Sequence, residues 1–456
     1  MAKGSASVAL GGDGKENDKK KDGNFGELKP YTPVVQTYIR NNSDDPVGGA
    51  LAHPPVEYEG IRYAIAQGPS AACQSTIDNV IAVSVAFNAS TLQKACRLAA
   101  EYNAQLITFP ELFMTGYEFG EGKGTPEELK FSTENAHAAA DYLRKQGIMD
   151  GLPEDGGEVN PAMPFQYLVA KAAKDNNITI VCPYPLSGTD PSGKEGYFDV
   201  AAIYNNKGHL VGHQFKTQLW GTAERTWFNV AHFPKDISPD NDYQNDTNAF
   251  RSWDVNGVPI GICICFDIEF PEVARNLALN GSLITVVPTA APEGMLPGQT
   301  EPYPDIAEHY IPANALMNFN FCTYSNRADW EYVPGQGGDE KGNKDLKALQ
   351  YTGNSIVCSP YGKSLVAAVA NEDCLLICDC IPCDFPPTQP KETNYLINRR
   401  PDIWGVLTQE TVPFPYGKSY TYKPDLGVGE VPKQPEKGQN ECPEWTPEEG
   451  TTPEPK

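Results

Sequence analysis

One passage near the middle of this 456-residue chain constrains its fold more than any other. The apolar run Val258-Pro259-Ile260-Gly261-Ile262-Cys263-Ile264-Cys265 reads as a buried strand. An acidic turn, Phe266-Asp267-Ile268-Glu269-Phe270, follows at once. A helix comes next, from Pro271 in its first turn to Gly281 at its stop, and then a further strand, Leu283–Val287. Strand, helix and strand in this order call for a sheet covered by helices. The arrangement also leaves Cys265 at a strand's carboxyl end. A thiol there is open to attack a bound group, and the N–H groups after it can face an anion.

The same alternation runs along most of the chain. Gly60–Ala66 reads as a strand, and Leu92, Ala95, Cys96 and Ala99 mark one face of a helix. Gln105–Phe109 is a strand that ends in Pro110-Glu111. A helix over Phe165–Lys174 precedes a strand at Ile178–Pro183. Ala201–Tyr204 and Leu210–Phe215 form a hairpin around Asn206-Lys207-Gly208. Pro312–Met317 reads as helical, and Phe321–Ser325, Ser355–Ser359, Val366–Ala370 and Cys374–Cys380 read as strands. This order predicts one α/β domain over about 56–410. Residues 1–55 read as a disordered arm with a short strand at Val34–Ile39, and 411–456 as a Pro/Glu-rich tail. Residues 118–161, 234–249 and 331–350 read as long loops. The first leaves the strand that carries Glu111 and is placed to overhang it, with surface decoration as the alternative.

Charge and cysteine usage narrow the partners. A formal net charge of -23 argues against nucleic acid and anionic membranes, which need clustered Lys and Arg. No apolar run reaches the roughly 18–20 residues that span a bilayer. The polar start of the chain has no apolar secretory segment, so its twelve cysteines are expected to be reduced and the protein cytoplasmic. The run Cys374, Cys378, Cys380, Cys383 lacks the separated pairs of a zinc site, and the six histidines show no ligand spacing. No dinucleotide fingerprint or phosphate-binding Gly-Lys-Ser/Thr loop is present, so neither a metal nor an organic cofactor is expected.

Two segments supply what a nucleophilic thiol needs. Phe109-Pro110-Glu111 places a carboxylate at one strand end, and Gln214-Phe215-Lys216 places a cation at another. Each has a plain alternative: a Pro-Glu turn or a strand-end Lys is usually solvated surface, and a Cys in an apolar run is usually core. That plain reading suits Cys263.

The longer blocks are more specific. Phe109-Pro110-Glu111-Leu112-Phe113, with Thr115-Gly116-Tyr117, is the first. Phe215-Lys216-Thr217, with Leu219-Trp220-Gly221, and Ile264-Cys265-Phe266-Asp267, with Glu269-Phe270-Pro271-Glu272, are the others. Their order and spacing resemble the three blocks of the nitrilase, or carbon–nitrogen hydrolase, superfamily, in its amidase-like branch. The likeness covers about 60–405 and includes Val287-Pro288-Thr289-Ala290 and Ser325-Asn326-Arg327.

The resemblance implies an αββα sandwich and a Glu-Lys-Cys triad: Glu111 as general base, Lys216 as the cation beside the oxyanion, Cys265 as nucleophile. Glu224 matches a second active-site glutamate, with a surface ion pair to Arg225 as the alternative. Tyr117, Trp220 and Phe266 flank the triad and are candidate substrate-binding residues, against ordinary packing. Four positions depart from the family pattern: Gln218 where a His is frequent, Asp199 where an Asn is common, and Asn314 and Met317 where an Arg and a Glu are usual. The expectation is a thiol hydrolase cleaving a small linear non-peptide amide to an acid and ammonia or amine. A nitrile or carbamoyl amide as substrate is the alternative within the family, and a catalytically silent scaffold or filament protein the alternative outside it. The resemblance also implies a homodimer or larger homo-oligomer.

Overall fold

The structure is a computed structural model that describes residues 30–40, 60–72, 78–117, 164–234, 248–292, 305–331, 350–386, 391–409, 411–414 and 418–421. In chain order the first half holds β1 (Val34–Tyr38), β2 (Ile61–Gln67), α1 (Asp78–Glu101), β3 (Leu106–Thr108) and α2 (Pro164–Asn176). β4 (Thr179–Thr189), β5 (Glu195–Tyr204), β6 (Leu210–Phe215) and the short helix α3 (Gly221–Trp227) follow. The second half holds β7 (Ser252–Val255), β8 (Val258–Ile262), α4 (Pro271–Leu279), β9 (Ile284–Val286), α5 (Ile311–Asn318) and β10 (Phe321–Tyr324). It ends with β11 (Ala328–Trp330), β12 (Gln350–Thr352), β13 (Ile356–Cys358), β14 (Ser364–Ala367), β15 (Cys374–Cys380), β16 (Thr411–Phe414) and β17 (Lys418–Thr421).

Two sheets stack face to face. The first has the order β1-β15-β2-β3-β4-β5-β6 and the second β14-β13-β10-β9-β8-β7. The pleat explains how four layers arise. Successive strand residues point to opposite faces, so Ile61, Tyr63 and Ile65 of β2 enter the core between the sheets. Ala64 and Ala66 face the other way, toward Leu92, Ala95 and Ala99 of α1 and Tyr167 and Val169 of α2. The second sheet repeats the scheme. Ile260 and Ile262 join the inter-sheet core, while Cys322 and Cys358 pack with Val273 and Leu277 of α4 and Ile311 and Ala315 of α5. Helices on sheet, sheet on sheet, and sheet on helices make the αββα sandwich. Strands buried on both faces are apolar almost throughout, which is why the sequence signals for β2 and β15 are strong.

The helix and strand assignments hold with shifted ends, and four points need correction. β8 ends at Ile262, and Cys265 lies three residues past it in a tight 3-10 turn, Cys265–Glu269. The cause is local: Cys265 takes a left-handed φ of 50°, which no strand continues. The segment at Val34–Tyr38 is not an isolated strand in an arm, because it pairs in parallel with β15 and forms the edge of the first sheet. β5 begins at Glu195, earlier than the hairpin signal, and so includes Asp199. Helix α3, strand β7 and the β11–β12 ribbon carried no sequence signal strong enough to be read. The residues of the three long loops lie almost wholly outside the described residues, as do 1–29, 41–55 and 422–456; within the region read as a C-terminal tail, β16 and β17 pair as an antiparallel hairpin.

A buried ion pair fastens two neighbouring strands of the first sheet, β2 and β15. Arg62 on β2 donates from Nε and Nη2 to the two oxygens of Asp379 on β15, at 2.6 and 3.0 Å, and from Nη1 to the Tyr102 carbonyl at 3.1 Å. Both side chains are nearly inaccessible to solvent. Ten described cysteines are free thiols, and all but Cys383 are buried. Cys378 and Cys380 lie in the inter-sheet core. No helix among the described residues is long and apolar enough to cross a membrane.

Candidate active site

The three blocks converge where the strand ends of both sheets meet. Glu111 follows β3, whose Phe109 N–H bonds the Val181 carbonyl of β4 at 3.0 Å. Its own N–H reaches across to the Thr289 carbonyl beyond β9, at 3.3 Å. The next residue, Leu112, has a φ of 49°. Arg327, beyond β10, donates from Nη2 to the Glu111 carbonyl oxygen and from Nη1 to Glu331 Oε1 at 2.9 Å. Glu331 Oε1 in turn accepts from the Tyr117 N–H at 2.7 Å and the Ser70 hydroxyl at 3.2 Å. This network fixes the backbone on both sides of Glu111. Gly116 is part of the same turn: its φ is 78°, and a Cβ there would lie 2.6 Å from the Ala72 Cα.

Lys216 directly follows β6 and is held by its N–H to the Asp199 carbonyl of β5, at 2.9 Å. Its ammonium donates to Glu111 Oε1 at 2.5 Å and to Glu224 Oε1 at 2.7 Å, and lies 3.7 Å from Asp199 Oδ2. All four side chains are fully buried. Glu224 comes from α3 and is itself oriented. Its Oε1 accepts from the Tyr117 hydroxyl at 2.7 Å, and its Oε2 from the Trp220 N–H at 2.7 Å.

Cys265 is aimed by its backbone. Its N–H bonds the Pro288 carbonyl at 2.7 Å, the extension of the β8–β9 pairing, and the left-handed φ then turns the chain into the 3-10 turn. A non-glycine residue held there costs roughly 1–3 kcal/mol, so the surrounding structure must over-determine it. Asp267 does much of that. One carboxylate accepts from the Ile264 N–H at 3.0 Å, the Gln218 N–H at 2.7 Å, and the Thr217 N–H and hydroxyl at 3.2 and 2.9 Å. The loop after Cys265 is thereby tied to the loop after Lys216.

Burial sets the electrostatics. It pushes the Cys265 thiol well above its ordinary value, and Glu111 adds to this, while Lys216 and the Ala290 N–H oppose it. A thiol in that state keeps its proton until a base takes it. Burial works against the Lys216 charge, yet Glu111 and Glu224 outweigh it and hold the ammonium well above its usual range. Glu224 is raised by burial, with Lys216 pulling the other way. Burial also lifts Asp267 to about 6, against its backbone donors and Lys216. The carboxylates of Glu111, Asp199 and Glu224 lie within 4.8 Å of one another, a spacing that can hold a cation, and the Lys216 ammonium occupies that role.

The structure brings together Glu111, Lys216, Glu224 and Cys265. Tyr117 lies beside them, but its hydroxyl is engaged by Glu224 and its ring stacks edge-on against Trp227. Trp220 meets the site through its backbone N–H. Phe266 follows the thiol, with its ring edge-on to Phe270. Sequence reasoning gave no role to Asp267, Arg327, Glu331 or Ala290, and treated Asp199 only as a departure. Asp267 and Arg327 stood within quoted blocks, and a charged residue close in sequence to an apolar strand end was the signal available.

The carbon-nitrogen hydrolase family model matches residues 64–381, and the chain belongs to that family of enzymes. A nitrilase of Pyrococcus abyssi is 27% identical over 286 residues, covering 63% of this chain and 80% of that protein. An N-carbamoylputrescine amidase of Solanum tuberosum is 26% identical over 333 residues, covering 71% and 90%. Among solved structures, a cysteine-to-alanine mutant of the amidase from Nesterenkonia sp. AN1, a nitrilase-superfamily protein, shares the fold. It has a TM-score of 0.50 and 20% identity over 76% of this chain and 97% of that one.

Proposed function

We propose that this protein hydrolyses a small, linear, non-peptide amide through a thioester on Cys265. The observation that carries the reading is the Lys216 ammonium clamped by Glu111 at 2.5 Å and Glu224 at 2.7 Å, beside a thiol held in a left-handed turn. Glu111 takes the Cys265 proton as sulfur attacks the amide carbon. General-base help of this kind contributes roughly 10²–10⁴-fold. The oxyanion that forms is met by the Lys216 ammonium and by the Phe266 N–H that follows Cys265. One such donor is worth about 3–4 kcal/mol. The intermediate collapses as Glu111 passes its proton to the leaving nitrogen, which departs as ammonia or amine. Glu111 then takes a proton from water, hydroxide adds to the thioester, and the acid leaves as the thiol is restored. Glu224 holds Lys216 in place and takes no proton of its own.

Tyr117, Trp220 and Phe266 border the space in which the acyl group would lie. A nitrile or a carbamoyl amide is the second reading. It is favoured by the nitrilase and N-carbamoylputrescine amidase among the relatives, and it uses the same residues. Ammonia release from a panel of amides, nitriles and carbamoyl compounds separates these readings. Turnover confined to nitriles would overturn the amide assignment, and turnover unchanged in Cys265→Ala would overturn the thioester.

A further inference from the structure

The site holds more buried acid than its one ammonium can neutralise. Lys216 contacts Glu111 and Glu224 at hydrogen-bond distance, but Asp199 stands off at 3.7 Å. Asp199 projects from β5 with Ala201 and Ile203, toward the core between the sheets, while Phe198 and Val200 face the helices. No solvent reaches its side chain. Among the described residues neither Asp199 oxygen has a hydrogen-bond partner, and the same is true of Glu111 Oε2. Three orphaned acceptors in one dry site are unstable if every acid is ionised. Two carboxylates cannot bond each other, and a buried acceptor without a donor costs roughly 1–3 kcal/mol. With all three acids ionised, two negative charges would be left without a counter-charge.

We infer that Asp199 is a neutral carboxylic acid whose O–H donates to Glu111 Oε2, making it a positioning residue for the base. The inference rests on the reading of Glu111 as general base. One proton eases both faults: it gives Asp199 a donor, satisfies Glu111 Oε2, and lowers the uncompensated charge from two to one, with Glu111 and Glu224 as the two anions around Lys216. The other groups that face Asp199 agree. Burial raises it well above the ordinary carboxylate range, Glu111 raises it further, Lys216 opposes, and Glu224 adds to the rise. Tyr117 and Cys265, which adjoin the three acids, are both raised and so stay neutral, and Asp267 lies on the far side of the thiol turn, bonded to the Thr217 and Gln218 loop. The consequence for chemistry is directional. Glu111 has one oxygen held by Lys216 and the other by Asp199, so the carboxylate is fixed in plane before substrate arrives.

The role predicts a specific pattern of substitution. An Asn at 199 keeps a donor to Glu111 and is neutral, like the protonated acid. An Ala keeps neither donor nor shape. An ionised Asp199 acting by charge alone would make the two variants alike. Infrared difference spectra of the resting protein, wild type minus Asp199→Asn, should show a protonated carboxyl band that shifts in heavy water. Absence of that band overturns the inference. Amide hydrolysis should fall by roughly 10- to 100-fold in Asp199→Ala, the scale of one lost hydrogen bond to a charged group, and Asp199→Asn should recover most of it. Equal losses in the two folded variants overturn the positioning role. The infrared band needs no turnover, so it stands or falls separately from the amidase reading. If Cys265→Ala leaves hydrolysis unchanged while the band is present, the amidase reading fails and the shared proton survives.

Discussion

Cys265 takes its φ of 50° in a segment where the Ile264, Cys265 and Asp267 N–H groups are already committed. The Asp267 carboxylate accepts from the Ile264 N–H and from the Thr217 and Gln218 N–H groups of the facing loop, which makes its ionisation a handle on the site. Its folded value of about 6 lies above the ordinary 3.8. A raised carboxyl contributes stability that is fully present below the ordinary value and is lost as pH rises through the folded one. Wild type should therefore gain stability relative to Asp267→Asn as pH falls from 7 toward 4, measured by urea unfolding at each pH. A constant difference, or one that shrinks, would contradict the assignment. At neutral pH the same variant presents an amide N–H₂ to backbone N–H groups, so hydrolysis should drop by at least about tenfold for one lost charge-assisted bond. Lys216→Met is the companion test. It strands Glu111 and Glu224 without their ammonium and should lower kcat by roughly 10²–10³, the scale of an oxyanion-side donor.

At the scale of elements, the site depends on registers that join distant segments. Lys216 is placed by the β5–β6 pairing, Glu111 by β3 beside β4, and Cys265 by β8 beside β9. β2 and β15 pair inside the first sheet, and the Arg62–Asp379 bond lies directly across that pair. Arg62→Ala leaves Asp379 as an uncompensated buried charge and should cost about 3–5 kcal/mol in unfolding free energy. The double change Arg62→Met with Asp379→Leu should recover much of that loss. If the single and double variants unfold alike, the pair is not coupled.

The β8–β9 region also shows how far the sequence could be read. The apolar run of β8, the Pro271 and Gly281 boundaries of α4 and the three blocks are local signals, so the alternating pattern, Glu111, Lys216 and Cys265 were legible. Strand end and turn were not: Ile264 is as apolar as Ile262, and only the left-handed φ of Cys265 ends the extended run. Asp199 and Asp267 read as ordinary acids until pairing buries them beside Lys216. Helix α3 is a seven-residue piece, too short for a periodic signal, and its position follows from Glu224 being held by Lys216 and Trp220.

For the whole molecule, four layers bring two sets of strand ends to one dry site, and the family membership and the geometry agree on carbon–nitrogen hydrolysis. The net charge of -23 should keep the full chain off polyanions. It should pass a DNA or heparin column unretained at low salt, and salt-dependent retention would contradict that. Intact mass of protein quenched in acid during turnover bears most directly on the central claim. With an amide substrate, wild type should gain the mass of the acyl group, carried on the peptide that contains Cys265, and Cys265→Ala should gain nothing and release no ammonia. Ammonia release that persists in Cys265→Ala, or an adduct found on any other residue, would contradict a thioester at Cys265.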